Sequence, residues 1–294
     1  MRRPLLLASA VASSLLATLG LGACSTPPVA DELTVVLLPH PDDEFQVWSQ
    51  IEQRPGARTV FVLMTRGEQS GFCDSEIGGG RWTQQCSRAR IDSWLTFFER
   101  MGASDPTIPS DLGEPQRVEG IDPQDANPMR DDDGTLVPST AADVWQDAQG
   151  RGTLVAFDLG DGDLTTAEVE WAVRAVLDDR DAFGIGDLPV GRMLGAYSYD
   201  GDVEGCYPYP HPDHAAVATT LADVDLGARS QSWSTCSLDP ATGAGDPSEV
   251  SDAAATAAFG PDGAFPAAYG WLGPWPLDDG QAELFHRQQA FATR

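Results

Sequence analysis

Residues 33–44 read Leu-Thr-Val-Val-Leu-Leu-Pro-His-Pro-Asp-Asp-Glu, and this stretch indicates the fold of the chain. Residues 33–38 form an apolar run, which is typical of a strand that is buried on both faces of a sheet. A second run of this kind, Thr-Val-Phe-Val-Leu-Met, follows at residues 59–64. Because residues 45–52 between the two runs are long enough for a crossover helix, the pattern predicts a parallel sheet.

The same pattern continues along the chain. The further predicted elements are a helix over residues 88–100, a strand over 153–157, a helix that begins with the capping box Thr-Thr-Ala-Glu at 165–168, a strand over 193–199 and a helix over 211–221. Residues 103–152 are rich in Asp, Pro, Gly and Gln, and we expect them to form an irregular insertion. The sequence therefore predicts one α/β domain over residues 33–294, with a Rossmann-like, mostly parallel sheet flanked by helices.

The N-terminus has the features of an export signal. Arg2 and Arg3 precede an apolar stretch at residues 5–21, and its ending, at residues 21–24, reads Leu-Gly-Ala-Cys. That ending resembles a bacterial lipobox, in which Cys24 becomes the lipidated first residue of the mature protein. We therefore predict a lipoprotein signal peptide over residues 1–23, a tether over 24–32, and attachment to the outer face of the bacterial cell membrane through the lipid on Cys24. The alternative is an ordinary signal peptide in which Cys24 is incidental.

The other cysteines agree with export. They are Cys73, Cys86, Cys206 and Cys236, and an even number of cysteines in an oxidising compartment predicts two disulfides. Three connectivities are possible, of which proximity in sequence favours Cys73–Cys86 and Cys206–Cys236. A zinc site made of the four cysteines is a weaker alternative, because no two of them have the short spacing of a zinc finger or ribbon.

The charge of the chain argues against one class of partner. The formal net charge is −27, and every basic residue is an arginine, since the chain has no lysine. So acidic a protein has no general attraction to the phosphates of a nucleic acid, and we expect no nucleic-acid partner.

Two short motifs contain three of the chain's four histidines. His40 lies in the first stretch quoted above, whereas His211 and His214 belong to His-Pro-Asp-His at residues 211–214. Each motif follows a predicted strand, so both are expected at the carboxyl edge of the sheet, where open α/β sheets bind their ligands. Two imidazoles and one carboxylate are the ligand set of a catalytic zinc site with one open position. The alternative is that Asp42 and Asp43 only cap the following helix and that His211 is an ordinary loop residue.

The adjacent aspartates suit a hydrolytic reaction. Consecutive side chains at the end of a strand point in different directions, so one aspartate can bind a metal while the other faces a nearby water. A metal lowers the pKa of such a water to about 7, and the second carboxylate can accept its proton.

The two motifs together resemble those of the PIG-L/LmbE-like family of metal-dependent de-N-acetylases. Three other segments are similar to that family: Thr-Arg-Gly-Glu at residues 65–68, the arginine-containing helix around Arg90, and Asp-Gly-Asp-Leu at 161–164. The resemblance implies that His40, Asp43 and His214 bind the metal, which is expected to be Zn²⁺ with Fe²⁺ as the alternative.

The resemblance also implies roles for the residues around the metal. Asp42 matches the general base, and His211 matches the residue that stabilises the oxyanion or protonates the leaving amine. Asp213 matches a carboxylate that orients a histidine. Tyr209 matches a tyrosine that some members direct at the tetrahedral oxygen.

The implied substrate contacts are Arg90 and Asp161. This sequence departs from the family pattern near Arg90, because Ser93 stands where a glutamate is usual. Arg88 is the alternative to Arg90 for the substrate contact.

These observations predict an exported, zinc-dependent hydrolase that removes an N-acetyl group from an amino sugar, a glycolipid or a related N-acyl compound. Its partner would be a small-molecule or glycan substrate. The alternative is a metal-containing sugar-binding protein of the cell surface with little or no turnover.

Overall fold

The computed structural model describes residues 30–52, 54–74, 78–121, 129–130, 136–137, 141–260, 269 and 284–294. The predicted signal peptide and the predicted lipid site at Cys24 lie outside the described residues. Within these ranges, no helix is both long enough and apolar enough to cross a membrane.

Eleven strands and five α-helices make up the described fold. The strands are β1 (Glu32–Leu38), β2 (Ala57–Leu63), β3 (Gln116–Glu119), β4 (Met129–Arg130), β5 (Leu136–Val137), β6 (Ala141–Gln146), β7 (Gly152–Ala156), β8 (Val190–Gly195), β9 (Ser230–Thr235), β10 (Ser248–Glu249) and β11 (Gln288–Thr293). The helices are α1 (Trp48–Ile51), α2 (Gln84–Ser104), α3 (Thr166–Asp178), α4 (Pro212–Asp223) and α5 (Asp252–Phe259).

Nine of the strands form one mixed sheet in the order β10-β11-β9-β8-β1-β2-β7-β6-β3. The five central strands, from β9 to β7, run parallel to one another. Two antiparallel strands flank them at each edge, while β4 and β5 pair separately. The α/β prediction and the parallel centre of the sheet are therefore confirmed.

Strands β1, β2 and β7 are mostly apolar because each face of the sheet is covered. Successive side chains of a strand point to opposite faces, so Val36 and Phe61 pack with α2, whereas Val35 and Val60 pack with α3 and α4. Helix α3 begins with the predicted capping box, in which Thr165 and Glu168 exchange hydrogen bonds with each other's backbone.

Residues 103–152 are not wholly irregular, and the prediction is wrong for residues 116–119 and 141–146. Strands β3 and β6 extend the main sheet beyond β7. The sequence of β6 does not show the apolar pattern of a strand, because Asp143 lies in its middle. Asp143 forms an ion pair with Arg66 at 2.7 Å. An ion pair from a distant residue thus makes a polar position compatible with a sheet strand.

Other boundaries also differ from the prediction. The crossover after β1 is only a 3-10 turn at Glu44–Val47 followed by the short α1. Helix α2 begins at Gln84, because Thr83 caps it by accepting a hydrogen bond from the backbone N–H of Cys86. Strand β8 ends at Gly195 instead of residue 199.

Both predicted disulfides are present. Cys73–Cys86 joins the loop after β2 to the first turn of α2, and Cys206–Cys236 joins the loop before α4 to the end of β9. The alternative of a four-cysteine zinc site is therefore excluded.

Asp147 holds together the turn between β6 and β7. Its Oδ1 accepts hydrogen bonds from the backbone N–H groups of Ser110 and Asp111, and its Oδ2 accepts them from those of Gln149 and Arg151. The Arg151 guanidinium also binds both oxygens. Burial raises the pKa of Asp147, but Arg151 and the backbone donors outweigh burial and lower this pKa to about 2.

We predict that Asp147→Asn lowers the free energy of unfolding by about 2–3 kcal/mol at pH 7, since a shift of one pKa unit corresponds to about 1.4 kcal/mol. The pKa of Asp147 in the folded chain lies below its unfolded value of about 3.9, so this stability is complete above about pH 5 and is lost as the pH falls toward 2. Urea unfolding of both proteins between pH 2 and 7 measures the difference. The exposed Asp111→Asn is the control, and a difference that does not change with pH contradicts the prediction.

Candidate metal centre

The two histidine motifs meet at the carboxyl edge of the parallel strands. His40 lies two residues after β1, and His214 lies in the first turn of α4, which follows β8. Because β1 and β8 are neighbours and the chain order reverses between them, this edge is the switch point where open α/β sheets bind ligands.

The three predicted metal ligands form a compact triangle. Asp43 Oδ2 lies 3.2 Å from His40 Nδ1 and 3.2 Å from His214 Nε2, and these two nitrogens are 3.2 Å apart. Ligand atoms in a tetrahedral site with bonds of about 2.0–2.1 Å lie about 3.3–3.4 Å from each other. All three side chains are buried, so this group could hold a metal ion.

In each histidine, the ring nitrogen that is not part of the triangle lies against a hydrogen-bond acceptor. His40 Nε2 lies 3.0 Å from Asp213 Oδ2 and 3.1 Å from Asp161 Oδ1, while His214 Nδ1 lies 2.6 Å from the carbonyl oxygen of Tyr197. Carboxylates and carbonyls only accept, so these nitrogens carry the protons. The lone pairs of His40 Nδ1 and His214 Nε2 consequently face the triangle, as metal ligation requires.

The carboxylates around His40 dominate its protonation. Burial lowers the pKa of His40, but Asp161, Asp213 and Asp43 outweigh burial and raise this pKa well above its usual value. The pKa of Asp43 is lowered in turn, because His214 and His40 outweigh the effect of burial. The triangle is thus a place where positive charge is strongly favoured.

Asp213 and Asp161 are fixed by the backbone behind His40. Asp213 accepts hydrogen bonds from the N–H groups of Gly162 and Leu164, and Asp161 accepts one from that of Gln69. Asp161 and Asp213 could also form a metal group with His40 and His211. Because their oxygens already accept these bonds, we interpret them as partners of His40 instead.

Asp42, the predicted base, lines a cavity of about 350 Å³ beside the triangle. Burial raises the pKa of Asp42, as does the negative charge of Asp43, and Arg90 only partly offsets this. Arg90 Nη2 lies 3.4 Å from Asp42 Oδ1. The two adjacent aspartates therefore point to different places, one into the triangle and one into the cavity.

His211 and Tyr209 form another part of the cavity wall. His211 precedes α4 and accepts a hydrogen bond at Nδ1 from the N–H of Asp213, at 3.4 Å. Burial lowers the pKa of His211 to about 4, together with the charges of His40 and His214. Burial raises the pKa of Tyr209, so its hydroxyl stays protonated.

Arg90 is the arginine at the cavity, whereas Arg88 is exposed on α2. The Arg90 guanidinium lies under Gly67, which has a φ of +68°, and a Cβ there would lie 2.5 Å from Arg90 Nη2. Arg90 also donates to Ser70 Oγ at 3.3 Å and lies over the ring of Phe72. A side chain at position 67 would therefore be strained by the positive φ and would displace the Arg90 guanidinium from its present position.

The sequence interpretation missed several residues at this site. Gln46 bonds to Asp43, and Tyr269 donates its hydroxyl hydrogen to Glu44 Oε1 at 2.7 Å. Ser93, which departs from the family pattern, donates to the carbonyl oxygen of Tyr269. Gln46 stands one turn after Asp43, but its second contact, with the backbone N–H of Tyr197, has no signal in the sequence.

Comparison of the chain with protein-family models, with curated proteins and with solved structures found no match. The resemblance to the PIG-L/LmbE-like family therefore stays a prediction from the motifs, and the function has to be argued from the site.

We predict that the chain binds Zn²⁺ through the triangle. At a free metal concentration about 100 times the Kd, binding should raise the free energy of unfolding by about 2.7 kcal/mol. Thermal unfolding with Zn²⁺ and with a chelator measures this difference. His214→Ala should abolish it, whereas the exposed His286→Ala should retain it; equal stabilisation of both variants would contradict the assignment.

Proposed function

We propose that the chain is an exported, metal-dependent hydrolase that removes an N-acetyl group from an amino sugar, a glycolipid or a related N-acyl compound. The observation that carries the proposal is the triangle of His40, Asp43 and His214 with the carboxylate of Asp42 beside it in a cavity. A ligand set alone would serve a structural metal, but a base in an adjoining cavity is needed for hydrolysis.

The fold supports this proposal. Numbered among themselves in chain order, the parallel strands β7-β2-β1-β8-β9 have the order 3-2-1-4-5, which supports the Rossmann-like sheet that we propose. The family that the motifs resemble is expected to have such a sheet, with its site at this edge.

Zinc is the metal that suits the donors best. Two imidazole nitrogens and one carboxylate oxygen, with a position left for substrate or water, are typical of catalytic zinc sites. The same donors accept Fe²⁺. A metal bound there would supply a Lewis acid that polarises a carbonyl and makes water more acidic.

Asp42 accounts for the proton transfers. Its raised pKa makes its ionised form a better base than an ordinary aspartate. Asp42 accepts a proton as the oxygen of a water attacks the carbonyl carbon of the amide. The C–N bond then breaks, the proton passes from Asp42 to the nitrogen, and the products are acetate and a free amine.

His211 and Tyr209 account for charge stabilisation. With a pKa of about 4, His211 is neutral at pH 7, and its Nδ1 accepts from Asp213. Its proton therefore sits on Nε2, which favours the hydrogen-bonding role over the role of acid for the amine. The protonated hydroxyl of Tyr209 is a second donor toward the carbonyl oxygen.

The volume and the lining residues of the cavity suit a small polar substrate. Its volume of about 350 Å³ lies in the range of small-molecule sites. The side chains of Arg90, Gln69 and Ser70 offer hydrogen bonds from one wall, and Phe72 offers an aromatic surface. Hydroxyl-rich rings with an N-acetyl group match these contacts.

The two disulfides support an oxidising location. We propose that the mature protein is attached to the outer face of the bacterial cell membrane through Cys24. The substrate would then be a glycan, a glycolipid or another N-acyl compound that lies outside the cytoplasm.

We predict that Asp42→Asn reduces turnover at least about 100-fold, because general base catalysis typically contributes that much. Its bound zinc should be unchanged, since Asp42 is not one of the three ligands. The measurement is release of acetate and of free amine from a panel of N-acetylated amino sugars that includes N-acetylglucosamine.

The matched control is Asp92→Asn, which makes the same change at an exposed position of α2. It should keep native turnover. Absence of release by the zinc-loaded native protein from every substrate of the panel, or equal release by the Asp42 variant, would overturn the catalytic proposal.

A further inference from the structure

The side chain of Gln46 links Asp43 of the candidate metal centre to the backbone of Tyr197. Its Nε2 donates to Asp43 Oδ1 at 2.8 Å, and its Oε1 accepts from the backbone N–H of Tyr197 at 2.7 Å. A backbone N–H can only donate, so the amide oxygen must face Tyr197 and the amide nitrogen must face Asp43. The side chain is buried, with 2 % exposure.

This bridge decides which oxygen of Asp43 faces the triangle. Oδ2 accepts from the N–H of His40 at 2.9 Å and faces the two imidazoles. Oδ1 is occupied by Gln46. Without the amide of Gln46, Oδ1 would lose its donor in a buried place, and the carboxylate could rotate to offer both oxygens to a metal.

The same bridge links Asp43 to His214. The N–H of Tyr197 donates to Gln46, and the carbonyl oxygen of Tyr197 accepts from His214 Nδ1 at 2.6 Å. Tyr197 lies two residues beyond the end of β8. The backbone of one residue therefore orients two of the three ligands.

We propose that Gln46 is a positioning residue of the metal centre, which holds Asp43 as a one-oxygen ligand and aligns it with His214 through Tyr197. The inference rests on the metal site of the proposed function but not on the identity of the substrate. Partners that orient a ligand typically contribute about 10–100-fold to metal affinity.

The chain offers a matched control at Gln231. This glutamine is also buried and also bridges backbone groups, accepting from the N–H of Leu226 and donating to the carbonyl oxygens of Leu221 and Val224. It lies in β9 and contacts none of the three ligands through these bonds. Gln231→Met therefore reproduces the loss of a buried amide bridge away from the metal centre.

The experiment measures metal binding directly in the native protein, Gln46→Met, Gln46→Asn and Gln231→Met. Competition with a chelator gives the Zn²⁺ affinity, which should fall about 10–100-fold in both Gln46 variants and stay native in the Gln231 variant. The visible spectrum of the Co²⁺-loaded proteins reports the coordination. Gln46→Met should lose the intense absorption of a four-coordinate site as the second oxygen of Asp43 enters, whereas Gln231→Met should keep it.

Thermal unfolding without metal separates positioning from stability, because Gln46→Met and Gln231→Met should be destabilised similarly. Native affinity and a native Co²⁺ spectrum in the Gln46 variants would overturn the inference and leave the metal site intact. Equal weakening in the Gln231 variant would overturn it as well. If Gln46→Met does not fold, Gln46→Asn decides, since it keeps an amide that is one methylene too short.

Failure of the inference differs from failure of the proposed function. A native protein that binds neither Zn²⁺ nor Co²⁺ removes the metal centre, and with it both proposals. A native protein that binds metal but releases no acetate contradicts only the proposed hydrolysis.

Discussion

The parallel pairing of β1 with β8 is the interaction on which the candidate site depends. Leu37 pairs with Gly195, so the loop that carries His40 and Asp43 begins beside the segment that leads to α4. Gly195 allows α4 to lie close to the sheet, since a Cβ there would be 2.5 Å from Leu221 Cδ1. This close packing brings His214 to the edge where His40 emerges. Residues 174 positions apart thereby approach within hydrogen-bond distance.

That convergence places several carboxylates in largely buried positions. Asp43, Asp161 and Asp213 all lie against His40, and burial of so many charges is costly without positive charge nearby. Without a metal, a proton at His40 Nδ1 would offset these charges, and the same carboxylates raise the pKa of His40. A metal at the triangle would replace this proton, so metal binding and protonation compete for the same position. The buried carboxylates and the geometry of the three ligands thus both favour a cation at the triangle.

The strands that could be predicted from the sequence are those that form an uninterrupted or nearly uninterrupted apolar run. Strands β1, β2 and β7 were accessible because both faces of the central sheet are covered by helices. Strand β9 was not, since it contains buried polar side chains whose hydrogen-bond partners lie outside the strand; Gln231, for example, donates to the carbonyl oxygens of Leu221 and Val224. The three candidate ligands were predicted because their residue types and spacing are distinctive. Gln46 was not, because its role depends on a hydrogen bond to Tyr197, which is remote in sequence.

Asp161 shows why substrate contacts are harder to predict than ligands. The family resemblance implies a substrate contact, and Asp161 does line the cavity, but one of its oxygens lies against His40 and the other accepts from the N–H of Gln69. The cavity wall that contains Gln69 is therefore attached to a candidate metal ligand. The disulfide Cys73–Cys86 attaches the continuation of that wall to α2, which carries Arg90. A change in the position of this wall would consequently also alter the contact of Asp161 with His40.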